Sequence, residues 1–201
     1  MPPILIATGF PPGLNDIDGA SNRAPGVHAS DIIYSIALRL GYKKQSTTFA
    51  DHTRNAFMIL GSALEHAIAY FYFKRFPGRY LHQPGEYTVD YIHGNPDLID
   101  CEFPAVEEIK LTWASATHDI LSDQYWHYWV QVKTYCYMVG LNTGRLHIVN
   151  ITGGGEFGFG PAYRVWEWVF TDEELKQNWA MMVNNRDKVA EELQSKKDGV
   201  S

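Results

Sequence analysis

Apolar residues fall at helical spacing in four stretches. Ile32, Ile33, Ile36, Ala37 and Leu40 predict a helix over 32–40, capped by Ser30 or Asp31 and ended by Gly41. A longer helix is expected from about Thr53 to Phe76, where Pro77-Gly78 stops it. Phe57, Ile59, Leu60, Leu64, Ile68 and Phe71 make that helix apolar on so many sides that a buried, central position is expected. A third helix spans Gln124 to Val139 and ends at Gly140. Thr171-Asp172-Glu173-Glu174 has the form of a capping box and opens a last helix, to about Leu193.

Shorter apolar runs predict strands over 86–93, 97–101, 105–111, 145–151 and 163–170. Residues 1–27, rich in Pro, Gly and Asn, are expected to form an extended arm containing the apolar run Ile4-Leu5-Ile6. Gly153 to Gly160 should form a turn or flexible loop, and 195–201 a frayed end. The order is helix, helix, three strands, helix, two strands, helix. It predicts a single α/β domain over 1–201, with helices flanking a central mixed sheet and a core over 28–170.

Within this frame, Gly94 to Thr112 predicts a β-hairpin that turns at Cys101-Glu102-Phe103-Pro104. Alternation puts Val106, Glu108 and Lys110 on one face of its second strand, and Glu107, Ile109 and Leu111 on the other. Ile109 and Leu111 suit a core, so Glu108 and Lys110 are expected to line a cleft. The hairpin brings Asp97 beside Glu108. Two close carboxylates raise one another's pKa and are costly to bury unless a positive charge sits between them. A hard divalent cation meets that need, and Mg²⁺ characteristically uses one or two protein carboxylates. An isolated E-x-K tripeptide is common and by itself describes an ordinary charged hairpin.

Composition narrows the classes. The chain has 201 residues, 45% hydrophobic and 20% charged, which suits a folded domain with a sizeable core. A net charge of −6 argues against a broad nucleic-acid-coating surface and leaves room for a local basic groove. Cys101 and Cys136 provide neither a disulfide framework nor a four-cysteine metal site, so a reducing, cytoplasmic setting is expected. Met1-Pro2-Pro3 lacks the charged start of a secretory signal, and no apolar run reaches membrane-spanning length. His118, His127 and His147 are not at zinc-ligand spacing, and Gly153 to Gly160 lacks the Lys-Ser/Thr of a phosphate loop. Aromatic residues cluster from Trp113 to Tyr137, as core or as a stacking surface. Lys43, Lys44, Arg54, Lys74, Arg75, Arg79, Lys133 and Arg145 are candidate phosphate contacts, although most charges of this kind are solvated surface.

Further pieces fall in order around the hairpin. They are G-x-x-x-E at Gly61–Glu65, N-P-D at Asn95–Asp97, E-I-K at Glu108–Lys110 and Q-x-x-x-Y at Gln131–Tyr135. Gln131 and Tyr135, four apart, share a helix face that Gln124 and Tyr128 extend. Each piece is weak alone. In this order the sequence resembles the PD-(D/E)xK nuclease superfamily, in its RecB-like and phage exonuclease branch, over roughly residues 28–151. His28-Ala29-Ser30-Asp31-Ile32 resembles the segment that opens the first helix in that branch.

The resemblance implies a Mg²⁺- or Mn²⁺-dependent deoxyribonuclease. Asp97, Glu108 and the Ile109 carbonyl would be metal ligands, with Lys110 as the catalytic lysine and Gln131 and Tyr135 at the phosphate. Asp100 and Glu107 compete for the places of Asp97 and Glu108. The preceding Asn-Pro favours Asp97, and the spacing to Lys110 favours Glu108. Many RecB-like members carry histidine where this chain has Glu65, with His66 one step later; Glu65 is favoured as the third ligand. Trp126, Trp129 and Trp113 are candidates for base stacking, with a core role for one or two of them, and Lys133 for a DNA contact. The iron–sulfur cluster of some relatives is excluded, because it needs four cysteines. The expected partner is DNA with a free end, in recombination, repair or phage replication, with a homo-oligomer or a partner protein as further expectations. The alternatives are an endonuclease and an inactive, nuclease-derived DNA-binding module.

Overall fold

The computed structural model describes residues 25–42, 51–113, 119–151 and 161–197, without the side chains of 51–58 and 196–197. The expectations for Ile4–Ile6, Lys43, Lys44, His118 and Gly153–Gly160, and for the side chains of Arg54 and Phe57, lie outside the described residues. In chain order the elements are β1 (Val27–His28), α1 (Ala29–Arg39), α2 (Asp51–Arg75), β2 (Tyr80–His82), β3 (Tyr87–Val89), β4 (Ile92–Gly94), β5 (Leu98–Asp100), β6 (Ala105–Thr112), α3 (Trp126–Val139), β7 (Thr143–Asn150), β8 (Ala162–Val169) and α4 (Asp172–Lys197). The class is α/β, as expected. A five-stranded mixed sheet in the order β2-β5-β6-β7-β8 is accompanied by a small sheet, β1-β4-β3. All neighbours in the large sheet are antiparallel except β6 and β7, which are parallel. A parallel pair needs a crossover, and α3 supplies it.

Local chemistry explains several boundaries. The box at Thr171 forms as expected: Glu174 N–H donates to Thr171 Oγ1 at 3.2 Å, and Thr171 N–H donates to the Glu174 carboxylate at 2.9 Å. Gly140 takes the left-handed conformation, φ 80°, at the end of α3. The first helix starts earlier than expected, because His28 rather than Ser30 or Asp31 is its cap. Asp31 instead reaches back to the His28 N–H at 3.3 Å. The span expected as one strand over 86–93 divides into β3 and β4 at Asp90 and Tyr91, both with positive φ. The end expected to fray at Ser195 continues as helix to Lys197.

The main core lies between the large sheet and α1, α3 and α4. It includes Ile32, Ile36, Val106, Trp129, Val132, Tyr135, Leu146, Ile148, Phe170 and Met182. Gly144 permits this packing, since a Cβ there would collide with Val132 of α3. A smaller cluster of Ala69, Tyr80, Leu98 and Ile109, with Ile68 and Tyr72, seats α2 on the opposite face. The expected burial of α2 is corrected here. Leu60 is 51% exposed and Phe71 60%, because only the Ile68–Tyr72 side of the helix meets the sheet.

Charges are also buried on the α2 face. Asp100 and Glu107 are enclosed. Asp100 accepts from Arg79 and from Arg145 Nη1 at 2.7 Å, and Arg145 Nη1 also reaches Glu107 at 2.7 Å. His147 Nε2 lies 2.9 Å from Glu107. Burial alone would raise the Asp100 pKa. Hydrogen bonds from Arg79, Arg145 and the Phe103 and Glu102 N–H groups outweigh it and hold the carboxyl below its usual range.

Asp100→Asn should therefore destabilise the fold by about 3 kcal/mol at pH 7, measured by urea unfolding. A depressed folded pKa gives stability that is complete above the unfolded value and lost as pH falls through the folded one. The gap between wild type and variant should thus narrow below about pH 4. A gap that stays constant down to pH 2 would contradict the pairing.

Candidate metal centre

β5 has three residues and β6 has eight. Their ladder runs only from Ala105 to Glu107, which leaves the far half of β6 without a strand on that edge. Carboxylates take its place. Asp97, just before β5, accepts from the Ile109 N–H at 2.8 Å. Glu65, on α2, accepts from the Leu111 N–H at 3.4 Å. Both acids are thereby fixed beside the Glu108–Lys110 segment, as the hairpin pattern predicted for Asp97.

Glu108 is 1% exposed, and its Oε1 lies 2.5 Å from Lys110 Nζ. α3 packs against this part of β6, so Glu108 is enclosed, while Lys110, Asp97 and Glu65 keep partial access to solvent. Burial pushes the Glu108 pKa well above normal and Asp97 adds to it, with Lys110 opposing. The Glu65 carboxyl is raised by burial first, against the pull of Lys110. Burial disfavours the Lys110 ammonium, but Glu108, Glu65 and Asp97 together raise its pKa well above normal, so it stays charged. Glu108 Oε2 is buried with no hydrogen-bond partner. An orphaned, electron-rich oxygen is costly in a protein interior. Among the described residues no three His, Cys, Asp or Glu side chains form a ready metal cluster. Asp97 and Glu108 nonetheless offer the two hard carboxylates that suffice for Mg²⁺, and the free Glu108 oxygen suits such an ion.

The α3 residues close the site. Gln131 Nε2 donates to Tyr135 Oη at 2.9 Å. Tyr135 is buried, and its hydroxyl pKa is raised by burial first and then by Glu108. Gly94 makes room for it: a Cβ there would lie 2.7 Å from the Tyr135 ring and 2.7 Å from Met138 Sδ. Tyr128, on the same stripe, bonds Thr112, and its pKa is raised by burial and shaped by Lys110 and Glu65. It was visible as a stripe member but was not assigned to the site. Gln124 precedes α3 and is exposed.

Other expected residues stand elsewhere. His66 is exposed and turned to its own helix, 2.7 Å from the Ser62 carbonyl. Trp129 is corrected from a stacking residue to a core residue. It is 6% exposed, donates from Nε1 to the Ile120 carbonyl and packs on Trp168. Trp126 is half-buried with its ring 5.3 Å from Tyr42, and Trp113 is 47% exposed. Lys133 lies over the Trp168 and Phe170 rings, at 5.0 and 5.3 Å, on a different side of α3 from the Gln131–Tyr135 pair. Asp100 and Glu107, the competitors of Asp97 and Glu108, belong to the ion network on the opposite face.

No family model matches the chain, and no curated protein matches it in sequence. Solved structures do match. The crystal structure of SSO0001 has a TM-score of 0.54 at 15% identity, over 88% of this chain and 81% of the other. An alkaline exonuclease (LHK-Exo) from Laribacter hongkongensis has a TM-score of 0.49 at 14% identity, over 87% of this chain and 92% of the other. A phage related exonuclease from Haemophilus somnus 129PT has a TM-score of 0.42 at 12% identity, over 92% and 100%. The likeness to SSO0001 shows a shared fold. The two exonuclease likenesses, below 0.5, carry no argument about this chain's activity.

Two outcomes follow for the metal-free protein. Gly94→Ala should cost about 1–3 kcal/mol and disturb the Tyr135 environment in near-ultraviolet spectra. Asp97→Asn keeps an acceptor for Ile109 and removes one of three crowded charges, so its melting temperature without metal should hold or rise. A large fall for Asp97→Asn would contradict the crowding.

Proposed function

We propose that the protein is a metal-dependent deoxyribonuclease, acting as an exonuclease at DNA ends. The observation that carries this reading is that Glu65, Asp97, Glu108 and Lys110, from α2, the β4–β5 connection and β6, gather along one edge of β6 and act on one another electrostatically, where one buried Glu108 oxygen has no hydrogen-bond partner. The order of these residues, with Gln131 and Tyr135 on the covering helix, is the order that carries the resemblance to the RecB-like nucleases.

Asp97 and Glu108 would hold Mg²⁺ or Mn²⁺, with Glu65 and the Ile109 carbonyl completing the protein's share. Such an ion supplies Lewis acidity at the scissile phosphate and at the attacking water. The chain's own part is positional and electrostatic. Lys110, held by Glu108, carries a fixed positive charge into the pocket, where it orients the water and stabilises charge developing on phosphoryl oxygens. The Gln131–Tyr135 pair presents an amide and a phenol towards the same pocket to bind the phosphate. Ion-supported charges of this kind are preorganised, because the sheet edge fixes Asp97 and Glu65 before substrate arrives. Intact acidic and lysine positions favour turnover over an inactive binding module. The biological setting proposed is recombination, repair or phage replication.

The test is a time course on matched linear and covalently closed circular DNA, with Mg²⁺ or Mn²⁺. Degradation of linear DNA with circles spared is expected. Asp97→Asn and Glu108→Gln should each lower the rate by a thousandfold or more, and Glu65→Gln should impair it far more than His66→Gln. Equal rates on circles would replace the exonuclease by an endonuclease. Full activity of either ligand variant would overturn the metal assignment.

A further inference from the structure

A run of basic and aromatic residues beyond the candidate metal centre occupies the second half of α2 and the segment through β2. From His66 to Gly85 the chain carries no Asp or Glu, although the protein as a whole has a net charge of −6. The same stretch holds His66, Lys74, Arg75, Arg79 and His82, together with six aromatic residues from Tyr70 to Tyr80. His66, Tyr70, Phe73 and Lys74 are spaced by four, three and one, so they share a face of α2. Tyr70 is 51% exposed and Phe73 36%. Their centroids are 6.5 Å apart, and Lys74 Nζ stands 5.3 Å from the Tyr70 ring and 5.7 Å from the Phe73 ring.

The edge strand β2 adds His82. Its ring stacks on Phe73 at 5.6 Å with an interplanar angle of 28°, and meets Tyr70 edge-on at 6.0 Å. His82 pairs with Leu98, and the next residue, Gln83, donates its N–H to the Asp97 carbonyl at 3.2 Å. His66 follows Glu65 directly. The patch thus adjoins the candidate metal ligands along the chain, His66 next to Glu65 and His82 next to Gln83, which bonds Asp97. From His66 to Lys74 the stripe runs on the order of 12 Å along the helix, the span of about two nucleotides of an extended strand.

We infer that this face of α2, with His82, is a stacking platform for single-stranded DNA leading to or from the metal centre. Exposed rings offer π-faces to unpaired bases of any sequence, and Lys74, whose Nζ stands beside both rings, supplies a cation for a backbone phosphate. The absence of Asp and Glu from residues 66–85, where Arg79 is taken up by Asp100 and Glu102 and Lys74 stands beside the exposed rings, favours a polyanion over an acidic or neutral partner, and the patch adjoins the site proposed to cut the strand. The inference rests on the nuclease reading for its purpose, but its physical content is metal-free strand binding.

The experiment is fluorescence anisotropy with a labelled twenty-nucleotide oligo-dT in EDTA, where no cleavage intervenes. The Tyr70→Ala/Phe73→Ala protein should bind at least tenfold more weakly than wild type, with an unchanged circular dichroism spectrum. Lys74→Gln, an exposed change with little risk to folding, should reduce the slope of log affinity against log salt by about 0.7, the value for one single-strand phosphate. Tyr91→Ala, 81% exposed on the β3–β4 turn, serves as a control and should bind as wild type. Wild-type affinity and salt slope in the α2 variants would overturn the platform, as would a wild-type protein that degrades linear DNA but does not bind the oligonucleotide. A protein that binds with this pattern but never cleaves DNA would keep the platform and remove the nuclease reading.

Discussion

The site depends on a mismatch in strand length. β5 stops pairing at Leu98, opposite Glu107, and β6 continues for five more residues. Unpaired N–H groups at a buried edge must find acceptors. Asp97 and Glu65 supply them through their side chains rather than through a further strand. Two carboxylates are thereby anchored by main-chain hydrogen bonds in a region where Glu108 is already buried. The repulsion that results is offset within the chain by Lys110 alone among the groups that shape the Glu108 pKa, and one Glu108 oxygen is left without a partner. The architecture around it serves this arrangement. α2 is held by Ile68, Ala69 and Tyr72 so that Glu65 reaches Leu111, and Gly94 and Gly144 let α3 approach closely enough for Tyr135 to cover the pocket.

The two faces of β6 handle charge differently. Glu107 is buried with Arg145 and His147, and Arg145 also holds Asp100. Arg145 bridges both acids, and Arg79 also holds Asp100. Glu108, one residue along, has a single lysine and two neighbouring acids. The alternation of a strand thus sends Glu107 into a network that Arg145 shares with Asp100, and Glu108 into a cluster with Lys110, Asp97 and Glu65.

Much of this was legible in the sequence where the signal is local. The hairpin, the box at Thr171 and the end of α3 at Gly140 follow from turn and capping chemistry. Alternation put Glu108 and Lys110 on one face, and the resemblance to the RecB-like nucleases singled out Glu65 and Asp97. Strands of two and three residues, β1 and β2, are too short to show a period. α2 looked buried because its apolar residues are many, but burial depends on what faces them, and only one side meets the sheet. The sequence left open which of Trp113, Trp126 and Trp129 stack and which fill the core; the Nε1 bond of Trp129 to Ile120 and its contact with Trp168 turn it inward. The ion network of Glu107, Arg145 and Asp100 joins three strands that sequence alone does not place side by side.

The central claim is that Asp97 and Glu108 together hold one divalent cation, and it is tested most directly by binding, without DNA. Isothermal titration of Mn²⁺ into the wild-type protein and into the Asp97→Asn/Glu108→Gln double variant compares the two at equal folded concentration. One saturable site in the wild type and none in the variant is the expected result. Equal Mn²⁺ binding by both proteins, or no binding by the wild type, would contradict it.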